Sequence, residues 1–278
     1  MLRLLLATCT LFTLTATARA DRMAPVSSPV ERALRAPVVV VGKVTSIEKD
    51  TIDAPLYPGA TDKVAHKIAV VKVESGLAGA ENLTHIKVGF VTAANIRRGP
   101  ENPELKEGQE WLFFLTKHAD GTFHAIPYMT PPVESTAADY KAQIERVKKA
   151  LAAVADPAKA LKAEKAEDRF DAALAIIYKS RTAPEGSTGP RENVALTAEE
   201  SRPLLKALAE GAWKADTGNP TLNGFRVFSM LGLTEADGWK PIAAKPGADF
   251  AAATKDAFAK WLDGPGKDYR VKKLVPKK

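Results

Sequence analysis

Val38-Val39-Val40-Val41-Gly42-Lys43-Val44-Thr45-Ser46-Ile47 opens as an unbroken β-branched run and then falls into alternation. Such a segment predicts a strand covered on both faces over its first half and on one face over its second. Downstream, residues 49–63 hold Pro55, Pro58 and Gly59 and read as a loop. Val64 to Glu74 follows as a second strand centred on Ile68-Ala69-Val70-Val71-Lys72-Val73, and Gly76 and Gly79 break it. Leu83 to Val91 alternates, with Thr84, Ile86, Val88 and Phe90 on one face and His85, Lys87 and Gly89 on the other, which predicts a half-exposed third strand. Val91 to Gly108 is a long connection carrying Arg97-Arg98, Pro100 and Pro103. The most apolar strand, Gln109 to His118, comes next, and Asp120-Gly121 predicts a type I′ hairpin turn into Thr122-Phe123-His124-Ala125-Ile126. Upstream, Ser28-Pro29-Val30-Glu31 starts a short helix with a serine cap and a proline at its first position, and Ala36-Pro37 stops it.

Five strands in about a hundred residues, with one long interruption, fit a small OB-type barrel better than a seven-stranded sandwich. The order PVVVVGKVTSI, KIAVVKVESGLAGAENLTHIKVGF, LKEGQEWLFFLTKHADGTFHAI also resembles the OB-type barrels of the netrin-like and tissue metalloproteinase inhibitor superfamily, over Pro37 to about Pro132. Those inhibitors chelate a protease metal through an N-terminal cysteine. A chain processed at Ala20 starts Asp21-Arg22 without one, so the resemblance implies the fold and not the inhibitory chemistry.

After Pro131-Pro132 the period becomes helical. Tyr140, Ile144, Val147, Leu151 and Val154 form one apolar stripe, and Asp156-Pro157 caps and restarts the chain. Phe170, Leu174, Ile177 and Tyr178 share a face of the next helix, Thr197 to Glu200 is a capping box, and further helices are predicted over Leu222 to Leu231 and Phe250 to Leu262. DRFDAALAIIYKSR resembles one helix of a HEAT-like hairpin, but no fixed period recurs, so an irregular bundle is expected. This half, ending in KWLDGPGKDYR, is similar to exported bacterial proteins in which such a barrel precedes a helical region. The expected class is α+β: a five-stranded OB-like barrel followed by an all-α C-terminal region. The expected division is a signal peptide over 1–20, the barrel over 21–134, the bundle over 135–266 and a basic tail over 267–278.

The export reading rests on three parts: the basic Met1-Leu-Arg, the uncharged and mostly apolar Leu4 to Ala18, and the small-x-small site Ala18-Arg19-Ala20. Fifteen residues fall short of the ~20 that cross a bilayer. No later run is long and uninterrupted, so no transmembrane segment is expected in the mature chain, which belongs in the periplasm or outside the cell. The single cysteine, Cys9, leaves with the signal, which removes disulfides, thiolate metal sites and cysteine nucleophiles from the 258 residues that remain.

The formal charge of +7 falls to +5 once Arg3 and Arg19 are removed, and the last twelve residues, with six basic residues and one acid, carry +5 themselves. A neutral body with a basic end argues against a nucleic-acid groove, which spreads charge over a folded face. The tail reads as a solvated terminus, or as a weak contact with an anionic envelope polymer or lipid surface.

No catalytic, cofactor-binding or metal-binding residue is named by the sequence. Among His66, His85, His118 and His124 there is no zinc-site spacing. With a two-residue turn, Lys117 faces His124 and His118 faces Phe123, which sends the two hairpin imidazoles to opposite faces. Trp111, Trp213, Trp239 and Trp261 read as core rather than as a carbohydrate platform. Nucleophile elbows, Walker A loops and dinucleotide fingerprints are lacking, so no cofactor is expected. The expectation is therefore a non-enzymatic exported binding module. Its partner would be a protein or an envelope polymer, held through residues 49–63 and 91–108. The alternatives are a protease-inhibitor-like barrel and a hydrolase built on a carboxylate pair.

Overall fold

The computed structural model describes residues 27–92, 103–119, 121–127, 130–213, 222–243 and 249–277. The signal segment and Asp120 of the hairpin turn lie outside them. The class is α+β, with seven of the nine strands among the described residues in the N-terminal half. Helix α1 (Pro29–Arg35) begins as the sequence predicts: Ser28 and Glu31 exchange bonds in a capping box and Pro29 occupies the first turn.

Strand β1 (Val38–Ile47) pairs antiparallel with β3 (Lys63–Ala78) on one side and with β5 (Glu110–Lys117) on the other. From β3 the pairing passes to β4 (His85–Phe90), then in parallel to β6 (His124–Ala125), and from β6 back to β5. The hydrogen-bonded path thus returns to β1. Val38, Val40, Val44, Val71, Val88, Phe90, Phe113 and Leu115 pack together on one side of the sheet. Val39, Val41, Leu112 and Phe114 point to the other side, where α1, strand β7 (Val133–Glu134) and helix α2 (Tyr140–Ala155) cover them. Two covered faces explain why Val38–Val41 and Trp111–Leu115 are continuous apolar runs, whereas the exposed ends of the strands alternate.

The helical half continues with α3 (Pro157–Ala160), capped by Asp156, then α4 (Ala166–Arg181), α5 (Ala198–Glu210), α6 (Gly224–Leu231) and α7 (Phe250–Asp263). The Thr197–Glu200 capping box opens α5. Trp213, Trp239 and Trp261 are buried with Phe228, Phe258 and Tyr269, and Trp111 is buried in the sheet, so all four indoles serve as core. The polar ends of three rings find backbone acceptors: Trp213 Nε1 donates to Leu208 O, Trp261 Nε1 to Asp237 O, and Tyr269 Oη to Leu231 O, at 2.8–2.9 Å.

Two expectations need correcting. The C-terminal region is not all-helical: strand β8 (Arg191–Ala195) pairs antiparallel with β9 (Lys272–Pro276), and β9 comes from the stretch read as a solvated tail. Val271, fully buried, leads it in; its N–H donates to Ser201 Oγ and its carbonyl accepts from Leu196 N–H. Arg181 of α4 then bonds both Asn193 and the Lys272 carbonyl. The two strands lie about eighty residues apart in sequence, and Lys272-Lys273-Leu274-Val275 is too short and basic to announce itself as a strand.

Helix α1 also does more than precede the sheet. Ala33 and Ala36 pack on the strands, while Leu34 joins Ala150, Ala175 and Tyr178 of α2 and α4. Glu31, with no exposed surface, lies 2.6 Å from Arg226 of α6, and Lys179 of α4 donates to the Leu34 carbonyl. A seven-residue helix is the layer through which sheet and bundle meet. Among the described residues, no helix is long and apolar enough to cross a membrane.

Candidate functional site

The loop expected over residues 49–63 folds into an arm. Strand β2 (Ile52–Pro55) pairs with the first residues of β3, Ile52 opposite His66 and Pro55 opposite Lys63. Gly59, at φ 88°, supplies the left-handed residue of the loop between them. Tyr57, 57 % exposed, stands beyond the pairing.

The base of the arm is latched to the β5–β6 hairpin. The His118 ring stacks on Phe123, with 4.5 Å between centroids and 13° between planes, and its Nε2 lies 3.3 Å from the Pro55 carbonyl. The buried His66 ring sits 5.5 Å from Phe123 and 6.2 Å from His118, and its Nδ1 lies 2.9 Å from the Val64 carbonyl. Phe123 lies flat over Gly89, where any Cβ would overlap the ring. The hairpin register is the predicted one, Lys117 opposite His124. His118 and His124 are accordingly kept apart, while His118 meets His66, fifty-two positions away. Each of these two rings faces a backbone carbonyl, which suits a mechanical clasp. Among the described residues no group of three or more His, Cys, Asp or Glu is placed to hold a metal ion. Burial, and then the charge of Lys117, hold the His124 pKa below its ordinary value, so this imidazole is neutral at pH 7.

Farther along the same strands, four residues from Gly89 on β4 and six from His66 on β3, lies a row of basic residues. The registers put Lys43 of β1 opposite Lys72 of β3, Lys72 opposite His85 of β4, and Lys43 opposite Glu110 of β5. Lys43, Lys72 and His85 are exposed while Val44, Val71 and Ile86 beside them are buried, so the three point away from the packed interior. Lys87 stands one step along β4 on that face, paired with Glu48 at 2.8 Å. Lys43 and Lys72 have no ion pair among the described residues. Strand alternation had put His85 and Lys87 on a solvent face, but the row itself needs a register between residues twenty-nine positions apart.

The second loop named from sequence, 91–108, lies partly outside the described residues, at 93–102. Its end is stitched into the sheet: Leu105 is buried, and Gly108 N–H donates to the Val44 carbonyl. The arm's neighbour is the short β5–β6 hairpin, which the sequence marks as a turn and not as a binding loop. As for carboxylate chemistry, Glu31 is the buried acid among the described residues. It bonds Ser28 and pairs with Arg226. No known family model matches the chain, and a search of curated proteins finds no match either.

Proposed function

We propose that this protein is an exported, non-enzymatic binding module whose OB-type barrel takes an anionic polysaccharide along the outer face of β1, β3 and β4. The observation that carries the reading is the Lys43–Lys72–His85 row. Like charges placed directly opposite cost about 0.2–1 kcal/mol, and a polyanion lying across the strands would turn that repulsion into attraction. Strands are ~4.8 Å apart, so the Lys43–Lys72 pair offers two positive charges at a spacing that successive acidic sugars match, with His85 next to them as a polar contact. The returning strand order β1-β3-β4-β6-β5, with β4 and β6 parallel, supports the OB-type description. In that fold the second and third strands and the loops after the first and fourth strands form the ligand face. Here those are β3, β4, the arm and the β5–β6 turn. The signal pattern of residues 1–20 supports export and an envelope or extracellular partner.

The test is binding of the purified protein to polygalacturonate, with neutral dextran as control, at low and raised salt. Saturable, salt-sensitive binding that weakens at least tenfold in Lys43→Glu/Lys72→Glu is expected, because screening acts on exposed charges. Equal binding by the double variant, or no binding by the parent, defeats the reading. Sequencing the exported protein should find Asp21 at its N-terminus.

A further inference from the structure

A groove of about 1100 Å³ runs between the start of α1, the outer side of α2 and α4, and α3. Its wall is largely alanine and other apolar carbon, including Val30, Ala150, Ala153, Leu174 and Leu222. Along its rim Lys149 bonds Asp168 and Asp171 and Arg146 lies 3.8 Å from Asp139, while Lys159, Lys162 and Glu164 have no ion pair among the described residues.

Arg32 lines the same groove and is different. It is 8 % exposed, and its guanidinium lies 4.9 Å from the centre of the Phe114 ring. Nη1 donates to the Pro131 carbonyl, Nε is buried without a partner, and Nη2 has no hydrogen bond among the described residues. No carboxylate pairs with it there, since the adjacent Glu31 is held by Ser28 and Arg226. Burial, partly offset by the nearby Glu31 charge, pushes the Arg32 pKa down to about 10, which still leaves the group charged at pH 7. Nε is fully covered and out of a ligand's reach, so Nη2 is the donor left for one oxygen of an anion such as a carboxylate. A largely buried cation with Nη2 unbonded, at the wall of an apolar groove, favours an anionic head joined to a hydrocarbon tail.

We infer that the groove binds a single-chain amphiphile with a carboxylate head, one oxygen on Nη2 of Arg32 and its hydrocarbon along the alanine wall of α2 and α4. The groove is slightly larger than the ~300–1000 Å³ of small-ligand cavities, so it has room for such a chain. The site lies on the helical side of the molecule and is independent of the cationic row.

The probes are octanoate, decanoate and dodecanoate, with dodecanol as the uncharged comparator, titrated calorimetrically into the purified protein below micelle-forming concentrations. One-to-one binding is expected, with affinity rising up to about fourfold per buried methylene and dodecanoate bound at least tenfold more tightly than dodecanol. Arg32→Gln should remove that preference. Arg32 also ties α1 to Pro131, so Arg32→Gln could unfold; Ala152→Phe, at an exposed position on the groove wall, gives a second readout by weakening dodecanoate at least tenfold with the melting temperature retained. Absence of saturable dodecanoate binding overturns the inference. So does equal affinity for dodecanol, or unchanged binding in Ala152→Phe or in a folded Arg32→Gln.

Discussion

Replacing Gly89 by alanine tests whether the clasp at the base of the arm is as tight as the geometry says. A Cβ at this position would come closer than 3.0 Å to both Cδ2 and Cε2 of Phe123, where ordinary contact is 3.4–4 Å. The ring cannot swing clear. It is 1 % exposed, packed with Ala54 and Ile68, and stacked against His118, which is itself held at the Pro55 carbonyl. Overpacking of this kind costs about 1–3 kcal/mol. The substitution also stiffens the unfolded chain, which returns about 0.4–1 kcal/mol, and Gly89 has no positive φ to strain. The net expectation is a loss of about 1–2 kcal/mol, or roughly 3–6 °C in melting temperature for a chain of this size. Phe123→Leu alone should cost a similar ~1–2 kcal/mol through the space it leaves. In the double variant the added methyl occupies part of that space, so the combined loss should fall short of the sum by about 1 kcal/mol. Urea unfolding followed by far-ultraviolet circular dichroism measures all four corners of the cycle, and amide exchange over Ile52–Pro55 reports the arm directly. A Gly89→Ala protein within 0.5 kcal/mol of the parent, or strict additivity with Phe123→Leu, would refute the account of the latch.

At the seam, the Glu31–Arg226 pair should respond unequally to its two truncations. Arg226→Met strands a carboxylate with no exposed surface and should cost about 2–3 kcal/mol, whereas Glu31→Gln leaves a guanidinium whose side chain is 39 % exposed and should cost about 1 kcal/mol; chemical denaturation in the reverse order would count against it. Ending the chain after Arg270 removes Val271 and β9 and should lower the melting temperature by more than 5 °C, as scanning calorimetry would show. Burial raises the Tyr178 and Tyr269 phenols to about 12, so the folded state keeps both protons after the unfolded chain begins to lose them near 10. The stability from these neutral hydroxyls is complete below pH 10 and is lost as pH rises through about 12. Tyr178→Phe/Tyr269→Phe should therefore flatten the fall in stability from pH 10 to 12 in denaturant titrations, and an unchanged slope would contradict the assignment.

The parts of this protein that the sequence determined are those whose cause lies within a few residues. Ser28 with Glu31 and Thr197 with Glu200 are capping boxes because cap and acid are three positions apart. The hairpin register followed from a turn, and the continuous runs at Val38 and Trp111 declared strands covered on both sides. The candidate sites were not legible in this way, because each depends on where distant segments come to rest. His85 and Lys87 could be placed on a solvent face by alternation alone. The Lys43–Lys72–His85 row exists only once β1, β3 and β4 have fixed registers, through a β1–β3 pairing with three irregularities that no local pattern marks. His66 met His118 because the arm doubled back, and the basic end became a strand because Val271 found a buried place beside Ser201. Arg32 looked like an ordinary helix residue. Phe114, Pro131 and the wall of α2, all seventy or more residues downstream, buried its charge and left Nη2 unbonded. Local backbone preference is written in neighbouring residues, whereas burial and charge pairing are set by whatever the fold brings from afar.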